Sequence, residues 1–127
     1  MKTILLDTNF LLIPHQFKID IIARLEHILE EPHEIIISSA IMNELNELAT
    51  RSGKDAIAAR VALRGVKKKN IKIIETNETN VDRWIVDYCT AHPNTIVCTN
   101  DIKLKKMLKK MCVRIIAMRT KTNIFWV

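Results

Sequence analysis

Two aspartates stand where short apolar segments end. Asp7 lies in L-L-D-T-N-F-L-L, and Asp101 follows I-V-C-T-N. An ionised carboxylate among apolar residues costs several kcal/mol unless it is paired, hydrogen-bonded or bound to a metal. Each aspartate also has a simpler explanation, since Asp7 can close a turn with Thr8 and Asn9, and Asp101 can cap a helix. Because both follow segments that resemble neighbouring parallel strands, we expect them to face one crevice.

Two further acids lie near the predicted starts of helices. Glu44 lies in S-S-A-I-M-N-E-L, on the side of the helix away from Ile41 and Leu45. Asp82 lies in N-V-D-R-W-I, in a first helical turn where the helix dipole also favours a carboxylate. Glutamate is equally common on exposed helix surfaces. Neither acid indicates a site by itself, but both can reach the crevice of Asp7 and Asp101.

Four converging carboxylates would repel one another unless a hard cation lay between them. Oxygen-only ligands favour Mg²⁺ or Mn²⁺ over zinc. Such a cation can activate water and neutralise charge on a phosphodiester in its transition state. The four histidines show no zinc-binding spacing, and the cysteines lie in or beside apolar segments. The acids therefore predict metal-dependent hydrolysis of phosphodiester bonds.

The elements that must position these acids alternate along the chain. Five short apolar segments predict strands at Thr3–Leu6, Ile35–Ile37, Ile71–Ile74, Thr95–Cys98 and Val113–Ala117. Apolar residues at helical spacing predict helices at Phe17–Glu31, Ser39–Thr50, Lys54–Lys68 and Thr79–Ala91, and a last one from a cap at Asn100 through Lys110. Pro32 should end the first helix. The order β-α-β-α-α-β-α-β-α-β predicts a mostly parallel sheet with helices on both faces.

Composition limits the class of protein. The chain has 127 residues, enough for one domain, which we expect to span 1–127. It has only two glycines, which excludes a G-x-G-x-x-G dinucleotide loop and a Walker phosphate loop. The three cysteines form no C-x-x-C pair, and no apolar stretch approaches the ~20 residues of a membrane span. We therefore expect a cytoplasmic protein that does not contact membranes.

The basic residues concentrate at the carboxyl-terminal end. Residues 1–100 carry 12 Lys and Arg against 13 Asp and Glu, whereas residues 101–127 carry 8 basic residues against Asp101 alone. Five of the eight lie in the last predicted helix: Lys103, Lys105, Lys106, Lys109 and Lys110. A basic helix face can simply be solvated. Beside an acidic site for phosphodiester chemistry, however, it favours contact with an RNA backbone.

Four segments of the chain resemble the PIN-domain family, most closely the archaeal single-domain relatives of the ribosomal-RNA-processing PIN endonucleases. The match covers essentially the whole chain and rests on four motifs: L-D-T-N-F-L-L-I-P-H-Q-F-K-I-D-I (6–21), S-S-A-I-M-N-E-L-N-E-L (38–48), V-D-R-W-I (81–85) and I-V-C-T-N-D-I-K-L-K (96–105). The resemblance implies an α/β/α sandwich of about five strands, a Mg²⁺ or Mn²⁺ site and cleavage of single-stranded RNA. By position it implies acidic roles for Asp7, Glu44, Asp82 and Asp101, and supporting polar roles for Asn9 and Thr99.

One position departs from the family pattern. Close relatives often carry a second acid directly after the third one, where this chain has Arg83. A first metal position should survive this change, whereas a second metal should bind weakly or only with substrate. We expect an endoribonuclease of ribosomal-RNA processing or RNA turnover, with ribosome-assembly proteins or a second copy of the chain as partners. Two alternatives stay open, a toxin-type ribonuclease with a neighbouring antitoxin gene and a non-catalytic RNA-binding or scaffold module.

Overall fold

A computed structural model describes all 127 residues. Six strands form one sheet: β1 (Lys2–Leu6), β2 (His33–Ser38), β3 (Lys72–Ile74), β4 (Thr95–Cys98), β5 (Arg114–Thr120) and β6 (Asn123–Trp126). Seven helices accompany them: α1 (Thr8–Leu11), α2 (Ile13–Phe17), α3 (Ile21–Ile28), α4 (Ser39–Ala49), α5 (Lys54–Lys68), α6 (Val81–Ala91) and α7 (Ile102–Lys110). The predicted α/β/α fold with a mostly parallel sheet is confirmed.

The strand order explains where a site can form. It is β3-β2-β1-β4-β5-β6, with the first five strands parallel and β6 antiparallel to β5. Strands β2 and β3 lie successively on one side of β1, and β4 and β5 lie successively on its other side. Right-handed crossovers therefore put α4 and α5 on one face and α6 and α7 on the other, and each pair packs together. The order reverses between β1 and β4, where α/β sheets bind ligands.

Local capping fixes how the helices begin at this edge of the sheet. The Ser38 hydroxyl accepts the N–H of Ile41 at the start of α4, and Asn80 accepts the N–H of Arg83 at the start of α6. Asp101, and not Asn100 as predicted, caps α7. An acceptor at the N-cap satisfies a backbone donor that the helix leaves unpaired. The helix starts that carry Glu44 and Asp82 are therefore locally anchored.

The core is one cluster of buried apolar side chains around the central strands. Its fully buried members include Ile4 and Leu5 of β1, Ile36 and Ile37 of β2, and Ile96 of β4. These strands are apolar on both sides because helices cover both faces of the sheet. None of the helices has the length and apolar character required to cross a membrane.

Three predicted helix features were wrong. The helix predicted at Phe17–Glu31 is α3 alone, because Lys18 adopts a left-handed conformation (φ 56°) and Asp20 caps a new start. That helix ends at Ile28, well before Pro32. The apolar spacing within Lys54–Lys68 also predicts that Ile57 faces the core, but Ile57 is exposed, since the small side chains of α5 (Ala56, Ala58, Ala59, Ala62) provide the packing face of the helix.

The strand predictions erred mainly at the two ends of the sheet. Strand β6 was not predicted, because a four-residue edge strand has too little pattern to distinguish it from a loop. The apolar character of Ile71–Ile74 predicts a strand buried on both faces, yet β3 is the other edge strand and Ile73 is exposed. Val113 precedes β5, which extends beyond Ala117 to Thr120.

Candidate active site at the carboxyl ends of β1 and β4

Asp7 directly follows β1 and is buried, with only 4% of its surface exposed. Its backbone N–H donates to the carbonyl oxygen of Cys98 in β4 (3.0 Å). One carboxylate oxygen accepts the N–H of Thr8 (2.8 Å), and the other accepts the hydroxyl of Thr99 (2.7 Å). The turn-closing role considered for Asp7 is thus real, but it occupies only one of the two oxygens. Backbone and side chain together fix this carboxylate against the neighbouring strand.

Thr99 also connects Asp7 to Asp101. Its hydroxyl oxygen accepts the backbone N–H of Asp101 (3.1 Å) while its O–H donates to Asp7. Asp101 uses one oxygen, Oδ1, to accept the N–H of Leu104 (2.8 Å) at the start of α7. One buried hydroxyl therefore bridges the two aspartates, which lie at the carboxyl ends of paired strands.

Two asparagines bind the three central strand ends together. The Asn9 side-chain oxygen accepts the N–H of Asn100 (3.1 Å), and the Asn100 side-chain oxygen accepts the N–H of Met118 (2.9 Å). Asn9 thus holds the backbone next to Asp101, and this contact comes in addition to the supporting polar role that the family resemblance implies. These hydrogen bonds give the site edge a rigid backbone from β1 through β4 to β5.

Glu44 reaches the same edge from α4. Its carboxylate accepts the hydroxyl of Thr8 at 2.6 Å, across 36 residues of sequence. Thr8 is buried and Glu44 exposed, so the hydrogen bond draws a surface side chain toward the residue next to Asp7. Sequence reasoning gave Thr8 no role beyond the local turn. The only available signal was a hydroxyl residue adjacent to a predicted buried acid.

Asp82 lies in the first turn of α6 and is partly buried. Burial raises its pKa, and the negative charges of Asp101 and Glu44 raise it further, while Lys103 lowers it. Since like charges affect a pKa in this way only at short range, Asp82 shares its surroundings with both acids. The structure therefore brings all four predicted acids to one edge of the sheet.

The electrostatics of this edge are unfavourable for the protein without a cation. Burial raises the pKa of Asp7 to about 6, and the charges of Asp82 and Asp101 add to that rise, although hydrogen bonds from Thr99 and Thr8 lower it. None of the four acids forms a salt bridge with a basic side chain. No three of them are close enough together to form a ready-made set of metal ligands.

This donor set fits a hard divalent cation better than any other group. It offers carboxylate oxygens without nitrogen or sulfur, and its negative charge lacks a protein partner. Mg²⁺ retains several of its waters and needs only one or two direct carboxylates, so widely spaced acids suit it. A cation here would offset both the burial and the smaller carboxylate repulsion that together raise the pKa of Asp7.

The basic residues of α7 lie on two sides of that helix. Lys103 lies beside Asp82 and shares with it and Arg83 a crevice between α6 and α7. Lys109 borders a different cavity, lined also by Ile115 of β5 and Trp126 of β6. Arg83 itself pairs with Asp87 one turn along α6 (3.5 Å). The helix that Asp101 caps therefore carries positive charge toward both of its neighbours.

A mostly parallel sheet with helices on both faces, and with acidic residues where the strand order reverses, defines the class as an α/β/α domain with a candidate site at that edge. The sequence model of the family described as "PIN like domain" matches residues 4–121. The chain belongs to this family. It resembles ribonuclease VapC4 of Methanocaldococcus jannaschii, with 34% identity over 124 residues, or 95% of this chain and 93% of that protein.

One further relative and one solved structure support the same assignment, and a second solved structure shows the fold alone. The rRNA-processing protein FCF1 of Saccharomyces cerevisiae is 29% identical over 85% of this chain, which spans about half (54%) of that protein's length. The solved structure of the PIN domain endonuclease Utp24 superposes with a TM-score of 0.79 at 27% identity, covering 98% of this chain and 90% of that one. A domain of a Methanocaldococcus jannaschii protein has the same fold, with a TM-score of 0.66 at 19% identity.

Proposed function

We propose that this protein is a divalent-metal-dependent endoribonuclease that hydrolyses RNA phosphodiester bonds. The observation that carries the proposal is the pair Asp7 and Asp101, bridged by Thr99 at the reversal of strand order and lacking any basic partner. Membership of a family whose relatives are named a ribonuclease and a PIN domain endonuclease supports the reaction class.

Each acidic residue has a separate role in this proposal. Asp7 and Asp101 would hold Mg²⁺ or Mn²⁺, because the structure fixes their backbones most firmly. Glu44 and Asp82 would extend the acidic surface and orient water beside the cation. Thr99 orients the Asp7 carboxylate, and Thr8 orients Glu44. When bound, the cation supplies Lewis-acid activation and neutralises charge on the phosphate.

The substrate is RNA, which the lysines of α7 attract to an edge that would otherwise repel it. We assign backbone contact to Lys103, Lys105, Lys106, Lys109 and Lys110. The likeness to the rRNA-processing protein FCF1 supports a ribosomal precursor RNA as the substrate, and RNA turnover is the second context. A cation and adjacent lysines together would align a phosphate for attack.

A nuclease assay tests this proposal. Structured and single-stranded RNA are each incubated with the protein in Mg²⁺, in Mn²⁺ and in EDTA, with Asp101→Asn prepared identically as the control for contaminating nucleases. We expect internal cleavage with either metal, none with EDTA and none by the variant. Equal cleavage by the wild-type protein and the variant would contradict the proposal.

A non-catalytic RNA-binding module is the second candidate. Arg83 occupies a place where close relatives often carry an acid, and no three acids form a ready-made ligand set. This candidate predicts RNA binding that is equally tight with EDTA and with Mg²⁺, without cleavage in either. The same assay, read alongside a binding titration, separates the two functions.

A further inference from the structure

The hairpin β5–β6 combines an exposed ring, that of Phe125, and a half-buried ring, that of Trp126, with basic residues, and it has no acid. Residues 102–127 contain no Asp or Glu, whereas the hairpin carries Arg114, Arg119 and Lys121 together with Phe125 and Trp126. Two arginines lie over the two rings. Arginine and aromatic rings at an open sheet edge are the groups on which unpaired bases stack.

The two arginine–aromatic pairs differ in the distance between guanidinium and ring. Arg114 with Trp126 is the closed pair, and Arg119 with Phe125 is the open pair. The guanidinium of Arg114 lies 4.0 Å from the Trp126 ring centroid, at van der Waals distance. The guanidinium of Arg119 lies 5.8 Å from the Phe125 centroid, near the outer limit of a cation–π interaction at ~6 Å. Phe125 is 43% exposed. Two stacking distances of ~3.5 Å each need a separation of about 7 Å, so a small movement of Arg119 admits a planar base.

The two pairs also lie on opposite faces of the sheet. Arg114 and Trp126 line a cavity with Ile28 and Leu29 at the end of α3. Adjacent strand residues point to opposite faces, so Phe125 lies on the face covered by α6 and α7. The closed pair therefore lies between the end of α3 and the carboxyl-terminal end of α7, where it also borders a cavity with Lys109.

The open pair is close in the structure to the acidic edge. Phe125 is paired in register with Ala117, and the next residue, Met118, donates its N–H to the side chain of Asn100. Arg119 follows Met118, and Asp101 follows Asn100. Arg119 is thus connected to Asp101 through one hydrogen bond between β5 and the end of β4, and Phe125 is connected through that bond and the pairing of β6 with β5.

We propose that Phe125 and Arg119 hold one unpaired base of a single-stranded RNA whose backbone passes the acidic edge. The inference rests on the proposed RNA substrate and adds a base-stacking interaction to it. The ring supplies one stacking surface, the guanidinium the other, and the phosphates remain free to bind the lysines of α7. A duplex cannot use this interaction, because its bases are already stacked on one another.

Binding titrations of the full chain in EDTA test this interaction without cleavage. The probes are a fluorescently labelled single-stranded oligoribonucleotide and a duplex of the same length. Phe125→Leu retains apolar bulk but removes the ring, and Phe125→Trp restores a ring. Phe17→Leu is the matched control, since Phe17 has similar exposure (37%) on a distant helix. Circular dichroism confirms that each variant is folded.

We expect Phe125→Leu to weaken single-strand binding about 5- to 100-fold, the effect of losing one stacked base. Phe125→Trp and Phe17→Leu should bind as the wild type does, and duplex binding should not change. Arg119→Lys should weaken single-strand binding several-fold because lysine retains the charge but cannot stack, while Arg114→Lys should not.

Wild-type affinity for the single strand in Phe125→Leu would overturn the inference, and so would an equal loss for duplex and single strand. Failure of the proposed function has a different signature, since the wild-type protein would then leave RNA intact in Mg²⁺ whatever Phe125 does in EDTA.

Discussion

The acidic site has two halves that the fold holds in different ways. Asp7 and Asp101 extend from the ends of paired strands, and their backbones and side chains are hydrogen-bonded across β1, β4 and α7. Glu44 extends from the second turn of α4 and Asp82 from the first turn of α6, on opposite faces of the sheet. Glu44 is exposed and has a single side-chain hydrogen bond, with Thr8.

The two pairs of acids therefore differ in how rigidly the fold holds them. Asp7 and Asp101 form the strand half of the site, and Glu44 and Asp82 form the helix half. The strand half is fixed by main-chain hydrogen bonds of the central sheet, so its geometry should change little when a cation or RNA binds. The helix half can adapt by side-chain rotation, which suits groups that hold water or respond to substrate. The strand half should therefore carry metal binding, and the helix half should tune the reaction.

The largest expected effect comes from neutralising the strand half. Asp7→Asn and Asp101→Asn retain shape but remove a ligand charge, and each should reduce metal-dependent cleavage by at least ~10³-fold because several kcal/mol of charge stabilisation are lost. Steady-state cleavage of a labelled RNA measures this. Asp87→Asn is the control, since Asp87 lies on α6 but pairs only with Arg83. Wild-type rates in both variants would place the metal site elsewhere.

Neutralising the helix half should cost less. Glu44→Gln and Asp82→Asn should each reduce cleavage about 10- to 100-fold, the range typical of groups that act through a ligand rather than on the metal itself. Raising the Mn²⁺ concentration should restore part of the loss in these variants and none in Asp101→Asn. A loss as large as that of Asp101→Asn, without rescue, would remove the distinction between the halves.

The burial of Asp7 predicts how stability depends on pH in the absence of metal. Its pKa of about 6 in the folded state exceeds the 3.8 of the free side chain, so the folded state holds this proton more tightly than the unfolded one does. This stabilisation is complete below pH 3.8 and is lost as pH rises through 6. In EDTA, urea unfolding should show the free energy of unfolding of Asp7→Asn rising relative to that of the wild type by about 2 kcal/mol from about pH 4 to 7. A difference between the two free energies of unfolding that stayed constant from about pH 4 to 7 would contradict the raised pKa of Asp7.

The smallest expected effects concern the lysines of α7. Lys105 and Lys109 share one helix face, and Lys106 and Lys110 share another. Lys109 borders β5 and β6, so we expect Lys105→Gln with Lys109→Gln to weaken RNA binding several-fold. The salt dependence of binding should also become shallower, by about 0.7 in the log–log slope for each phosphate that is no longer neutralised. Metal affinity should not change. If neither pair alters affinity or slope, the basic face is merely solvated.

The sequence predicted the central features of the fold because they depend on local pattern. β-branched runs give the buried strands β1, β2 and β4, and an acid directly after an apolar run is placed at the sheet edge by chain direction alone. Strand β6 and the break near Lys18 escaped prediction because an edge strand has few residues, and because a left-handed conformation at a lysine has no sequence signal.

The site was predictable only in part for a related reason. Asp7 and Asp101 follow from strand ends, Glu44 and Asp82 follow less strongly from helix starts, and the family resemblance added Asn9 and Thr99. The hydrogen bond of Thr8 with Glu44 joins residues 36 positions apart on different elements, and it depends on how α4 packs beside β1. Such tertiary interactions cannot be predicted from the periodicity and spacing of residues in the sequence.

Direct measurement of Mn²⁺ binding tests the central claim most simply. Titrating the protein with Mn²⁺, with free metal followed by electron paramagnetic resonance, reports occupancy without RNA and without cleavage. We expect the wild type to bind Mn²⁺, Glu44→Gln and Asp82→Asn to bind it more weakly, and Asp7→Asn and Asp101→Asn not to bind it in the same concentration range. Undiminished binding in Asp7→Asn and Asp101→Asn would contradict the assignment of the metal to the ends of β1 and β4.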